Sequence, residues 1–152
     1  GFLYPFHVIP TPLMVGSSTL RNQLIQEPEV QDVMKMAQLA DIAMVGIGSL
    51  MPSTEFGRFG YKSQKELDLL KKLGAVGEIH GEYFNADGEQ LDLEHHHRLI
   101  TTHLETLAKM KQVVGVAGGT EKIEALRAAF KGGFIHSLIT DEMTARTLIS
   151  SP

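Results

Sequence analysis

Hydrophobic and polar positions alternate along this chain between the period of a helix and the unbroken apolar runs of buried strands. From Val8 to Val15 the chain is apolar but interrupted by Pro10 and Pro12, which predicts an edge strand or an extended segment, because proline cannot donate to a sheet ladder. Two helices are expected next. Ser17 or Ser18 suits the cap of the first, and Pro28 suits the first turn of the second, where Val30, Val33, Met34 and Ala37 share a face. Asp41-Ile-Ala-Met-Val-Gly-Ile-Gly48 is apolar on both alternations and reads as a buried parallel strand running into a Gly-x-Gly turn. A polar loop with Pro52, Gly57 and Gly60 follows. Ser63 and Glu66 then stand at capping-box spacing ahead of Leu67, Leu70 and Leu73, which predicts a short helix.

The second half repeats the alternation. Ala75 to Phe84 is expected to be a strand, and Asn85-Ala-Asp-Gly88 is turn chemistry. A helix from about Leu99 to Met110 leads to a two-sided apolar strand, Gln112 to Ala117. Gly118-Gly119-Thr120 closes that strand and opens a helix carrying Ile123, Leu126 and Phe130. Gly132-Gly133 stops the helix, Phe134 to Ile139 is a last strand, and Asp141 caps a final helix. No fixed-period repeat or linker divides the chain, so residues 1–152 read as one unit. Strands that alternate with helices in this way imply an α/β fold, a mainly parallel sheet covered by helices on both faces. Ligands collect at the carboxyl ends of such strands, and glycines stand at three of those ends: Gly46-Ile-Gly48, Gly77 and Gly118-Gly119.

Composition narrows the function classes. With 152 residues, 43% hydrophobic and 21% charged, the chain is long enough to bury one core. A net charge of −4 argues against direct grip on nucleic acid, which needs clustered Lys and Arg, so contact with DNA is expected only through a part of the protein absent from this chain. Cysteine is absent, which excludes a disulfide framework and permits a reducing cytoplasm. Apolar runs such as Ile42 to Ile47 are far shorter than the roughly 20 residues of a membrane span, so no membrane partner is expected. The opening Gly-Phe-Leu-Tyr-Pro-Phe has no secretory signal pattern and does not read as a natural start.

Few residues carry chemistry. Gly118-Gly119-Thr120-Glu121-Lys122 joins a strand to a helix start, where free amides and Lys122 would suit a phosphate. The spacing is not that of a Walker A loop, and such turns also use glycine for steric reasons alone, so spacing leaves both readings open. Gly46-x-Gly48, with Met51 where a third glycine would stand and no acidic residue closing a following strand, reads as a plain tight turn more readily than as a dinucleotide fingerprint. Glu78, between Gly77 and Ile79 in an apolar strand, needs a cation, backbone donors or ligand hydroxyls if buried; otherwise it lies on an exposed edge. His95-His96-His97 lacks the i,i+3 or i,i+4 partners of a metal pair, so a solvated segment is expected and no metal. His7, His103 and His136 are scattered, while His80 shares a predicted strand with Glu78.

Four segments together resemble the sugar-binding domain of the SorC family of bacterial transcriptional regulators. They are Pro10-x-Pro12; Ala40-Asp-Ile-Ala-Met-Val-Gly-Ile-Gly48; Gly74-Ala-Val-Gly-Glu-Ile-His-Gly81 with Tyr83, Phe84 and Gly88; and Val116-Ala-Gly-Gly-Thr-Glu-Lys122 running to Leu138-Ile-Thr-Asp-Glu142 with Thr144 and Ala145. The resemblance spans nearly the whole chain and implies a sheet similar to that of the sugar-phosphate isomerases and deaminases, serving as a sensor and not as a catalyst. It implies effector contacts from Glu78 and Lys122, and strand alternation would place His80 on the same face as Glu78. With the strand-end residues Gly46, Gly48 and Ser49 these make the expected effector site, and Gly118, Gly119 and Thr120 with Arg98 the expected phosphate site. Arg98 either serves the phosphate or pairs with Glu94. No catalytic residue, cofactor or metal is implied. The expected partners are a phosphorylated sugar and further copies of the chain in a dimer or tetramer, in the cytoplasm. The family's DNA-binding helices and first sensor strands, with their Gly/Thr-rich phosphate loop, have no counterpart here, so the chain reads as the later part of one effector domain. Two other classes stay open at this point. An isomerase or deaminase would need a base, yet the Asp-Gly-His run of deaminases after Gly-Ile-Gly is replaced by Ser49, Leu50 and Met51. A pure oligomerisation module would assemble without responding to ligand.

Overall fold

The computed structural model describes residues 6–50 and 64–150. Its chain begins with an extended segment in which Met14 makes a single antiparallel bridge to Leu99. Helix α1 (Ser18–Leu24) follows, capped by the Ser17 hydroxyl, which accepts the Leu20 amide at 3.1 Å. Helix α2 (Pro28–Gln38) has Pro28 in its first turn and buries Val30. Strand β1 (Ala43–Gly46) runs through Ile47 into the two-residue strand β2 (Gly48–Ser49). Then come helix α3 (Gln64–Lys72) and strands β3 (Ala75–Ile79) and β4 (Glu82–Asn85). A 3-10 turn over Glu94–Arg98 precedes the short helix α4 (Leu104–Leu107). Strand β5 (Val113–Val116), a 3-10 turn over Thr120–Lys122, helix α5 (Ile123–Lys131), strand β6 (Ser137–Ile139) and helix α6 (Glu142–Ser150) complete the described residues. The expected loop at Pro52, Gly57 and Gly60, and the capping Ser63, lie outside them.

The α/β class holds, but the strands divide between two sheets. One is parallel, in the order β1-β5-β6, with Ala43 opposite Val113 and Val116 opposite Ile139; the other is antiparallel, in the order β2-β3-β4. The chain crosses from the first sheet to the second at Gly46-Ile47-Gly48. Between the sheets sits the main core, where Val45, Ile47, Ile79, Phe84, Val113 and Leu126 are each at most 4% exposed. Helix α5 lies close against β3 because Gly77 has no side chain: a Cβ there would stand 2.7 Å from the Ala125 Cβ and 2.8 Å from Phe84.

Three expectations change. Ala75 to Phe84 is not one strand but a hairpin, turning at His80 (φ 55°) and Gly81 (φ 84°), the two positive-φ residues of a tight two-residue turn. The helix expected from Leu99 begins only at Leu104. Arg98 to Ile100 pairs instead with the leading segment, Val15 N–H to Arg98 O at 3.1 Å and Ile100 N–H to Leu13 O at 2.8 Å, and the β-branched Ile100, Thr101 and Thr102 favour that extended form. The run from Asp41 to Gly48 is buried on one face only, since Ile42 and Met44 are 61% and 66% exposed. With Val116 and Ile139 they form an apolar stripe on the open face of the parallel sheet.

Candidate functional site

A cleft of about 740 Å³ opens where β1 ends and the antiparallel sheet begins. Gly46, Gly48, Glu78, His80, Arg98 and Lys122 all line it, from four separate stretches of the chain between β1 and α5. Glu78 comes from β3, directly across the ladder from Gly48. A Cβ at Gly48 would overlap the Glu78 carboxylate, so glycine there makes the room in which the carboxylate lies. Glu78 Oε2 accepts the Gly81 amide at 2.8 Å, which folds the side chain back over its own hairpin turn. Lys122 reaches from the start of α5 and donates through Nζ to Ile47 O at 3.0 Å. An ammonium has three donors, so this bond anchors the lysine and leaves donors for an anion. Glu78 and Lys122 thus meet the chain at adjacent residues, Gly48 and Ile47.

His80 sits in the hairpin turn and not on the strand face of Glu78, as alternation had suggested, yet it lines the same cleft. Its Nδ1 lies 3.3 Å from Thr102 O. A carbonyl only accepts, so Nδ1 carries a proton, and Nε2 is the ring nitrogen left for a ligand. Arg98 pairs with Glu94 at 3.2 Å and is 27% exposed, while its Nε is buried with no hydrogen-bond partner. It therefore both pairs with Glu94 and faces the cleft.

The remaining expected residues do not line the cleft. Ser49 is held in the ladder opposite Gly77. Gly118, Gly119 and Thr120 lie at the end of β5, but the Gly119 amide is already taken: it donates to Asp141 Oδ2 and to Thr144 Oγ1, both at 2.9 Å. An internal carboxylate thus stands where a phosphate was expected. Asp141 also caps α6 through the Thr144 amide at 2.8 Å, and hydrogen bonds from the Thr144 side chain and backbone and from Gly119 hold its carboxyl down to about 2.

The histidine run is not a solvated segment. His97 is exposed, 3.6 Å from Asp92, but His96 is 7% exposed, accepts the Tyr83 amide at Nε2 (3.0 Å) and stacks on the Tyr83 ring. Burial, then the neighbouring His95, push His96 down to about 4. His95 reaches the Gly81 carbonyl at 3.2 Å and lines the cleft. No group of three or more metal-type side chains forms among the described residues, nor any helix there long and apolar enough to cross a membrane.

Sequence reasoning missed the apolar side of the cleft, formed by Leu13, Met14, Leu69, Leu73, Leu93 and Leu99. Leu69 was the legible part, since it sits in the predicted helix apart from the Leu67, Leu70 and Leu73 set.

Residues 2–150 match the family described as "Putative sugar-binding domain". The transcriptional regulator LsrR of Enterobacter sp. (strain 638) is 44% identical over 146 residues, covering 94% of this chain and 45% of that protein. The erythritol catabolism regulatory protein EryD of Brucella abortus (strain 2308) is 35% identical over 148 residues, covering 97% of this chain and 46% of that protein. The crystal structure of the full-length sorbitol operon regulator SorC from Klebsiella pneumoniae matches with a TM-score of 0.84 at 23% identity, over 94% of this chain and 46% of that one, a likeness of fold. The chain spans about half the length of these relatives.

Proposed function

Because the chain belongs to this sugar-binding domain family, we propose that it is the effector-sensing part of a SorC-type bacterial transcriptional regulator, responsive to a phosphorylated sugar. The observation that carries the reading is the convergence of Glu78 and Lys122, with His80 and Arg98, on one cleft at strand ends. Glu78 accepts hydroxyl hydrogen bonds, His80 offers a ring nitrogen, and the Lys122 ammonium with the Arg98 guanidinium attracts the phosphate. The Gly119 amide takes no part, since Asp141 and Thr144 occupy it. Effector binding favours one arrangement of a cytoplasmic dimer or tetramer over another, and DNA affinity, carried outside this chain, changes with it.

Calorimetry of the full-length protein with a panel of sugar phosphates and their unphosphorylated counterparts tests this. The expected result is binding of a phosphorylated member that weakens about 10- to 100-fold in Lys122→Ala, the worth of one charged hydrogen bond. Silence across the panel, or equal binding by that variant, overturns the assignment. An isomerase or deaminase reading has less support: the position after Gly48, where deaminases begin their acidic run, is Ser49, tied into a ladder. Turnover of a sugar phosphate by the full-length protein would reverse that preference.

A further inference from the structure

Behind the hairpin, away from the effector cleft, Glu82 is 2% exposed and fully engaged. Its Oε1 accepts from His103 Nδ1 at 2.7 Å and from Gln90 Nε2 at 3.0 Å, and its Oε2 accepts the Leu104 amide at 2.7 Å. The other ring nitrogen of His103, Nε2, lies 3.0 Å from Arg21 Nη2 on α1. A guanidinium has donors only, so Nε2 must be the bare acceptor and Nδ1 must carry the single ring proton. His103 is therefore a neutral bridge between a buried carboxylate and a cation. Helix α1 buries no residue of its own: it is held by that bridge, by a second Arg21 bond to Leu99 O at 3.1 Å and by the partly buried Leu24 and Ile25.

We propose that His103 is a proton-operated latch for α1. The Glu82 charge can be balanced in two ways, by Arg21 through a neutral imidazole or by an imidazolium directly, but not by both at this spacing, since a second ring proton would face the guanidinium N–H. The latched state binds one proton fewer, so its population falls as pH falls. Besides Arg21 and Glu82, the charged and titratable groups around His103 are Glu105 beside it and Asp92, Glu94, His96 and His97 across a second cleft of about 780 Å³, which gives protons access. His96, held down to about 4 by burial and by His95, is neutral at both pH values of the test below.

Hydrogen exchange by mass spectrometry on the full-length protein, at about pH 7.5 and about pH 5 with times corrected for intrinsic chemistry, reads the latch. Amides of residues 17–27 are expected to lose protection about 10- to 100-fold at the lower pH while those of α5 keep theirs, matching the loss of one charge-assisted bond. His103→Gln, whose amide donates to Glu82 and accepts from Arg21 without titrating, is expected to stay protected at both pH values. Arg21→Met is expected to be unprotected at both. No pH step in the parent protein overturns the latch, as does a step that persists in Arg21→Met, and the latter arm decides alone if His103→Gln fails to fold.

Discussion

Glu78 and Glu82 flank the same two-residue turn, one on its cleft side and one behind it, and their surroundings could hardly differ more. Glu82 is sealed from solvent and receives a histidine, an amide side chain and a backbone N–H. Burial alone would raise its carboxyl, but the His103 and Leu104 hydrogen bonds and the nearby imidazoles outweigh that, and it stays below the ordinary carboxylate range. Glu78 is partly exposed, receives one backbone N–H and lies over a glycine. The contrast separates a carboxylate whose bonding is complete, and which therefore holds structure, from one with acceptor capacity left for a ligand. Two residues of the same type, four positions apart, thus differ in whether any bonding capacity is left, and the proposed function assigns recognition to the one that has it.

The sharpest way to break that division is to remove each carboxylate in turn. Glu82→Ala strands His103 and the Leu104 amide in a buried site and is expected to cost roughly 3–5 kcal/mol in urea unfolding. A cost no larger than that of a surface change would end the structural role given to Glu82. Acid tests the same side. His96 is held at about 4 against an unfolded value of 6.5, so the unfolded chain takes up the proton first. The stability this contributes is complete above about pH 6.5 and drains away as pH falls toward 4, a slope worth on the order of 3 kcal/mol. Unfolding midpoints measured across that window should flatten in His96→Gln. Gly77→Ala pushes a methyl into Ala125 and Phe84 and is expected to lose roughly 1–3 kcal/mol by thermal unfolding, with no direct contact to the cleft. On the recognition side, Glu78→Gln should change stability by less than about 1 kcal/mol yet weaken effector binding about tenfold in calorimetry. Gly48→Ala, which displaces only the tip of the Glu78 side chain, should follow the same pattern.

The order of helices and strands was readable because periodicity reports burial, and the cleft was readable because glycines stand where strands end. Glu78 and Lys122, named from a resemblance, and His80, named from strand alternation, line one cleft. What the sequence could not disclose is pairing over distance. The His80-Gly81 turn hid inside an apolar run with no Asn-Gly signal. The strand-like Arg98 to Ile100 passed for helix because its partner, Leu13 to Val15, lies more than 80 positions away. Asp141 was recognised as a helix cap, but its second task at Gly119 needs a contact across 22 residues. The Glu82, His103 and Arg21 set, spread across three elements, left no local pattern at all.

The bare stripe on the parallel sheet has a practical corollary. Ile42 and Met44 lie at β1 and Ile139 on β6, the two outer strands of that sheet among the described residues, with Val116 on β5 between them. Sticky side chains next to vacant ladder positions make a template for self-association. Solutions of this chain expressed alone should scatter light increasingly as they are concentrated, and a lysine at Met44 or Ile139 should keep them clear.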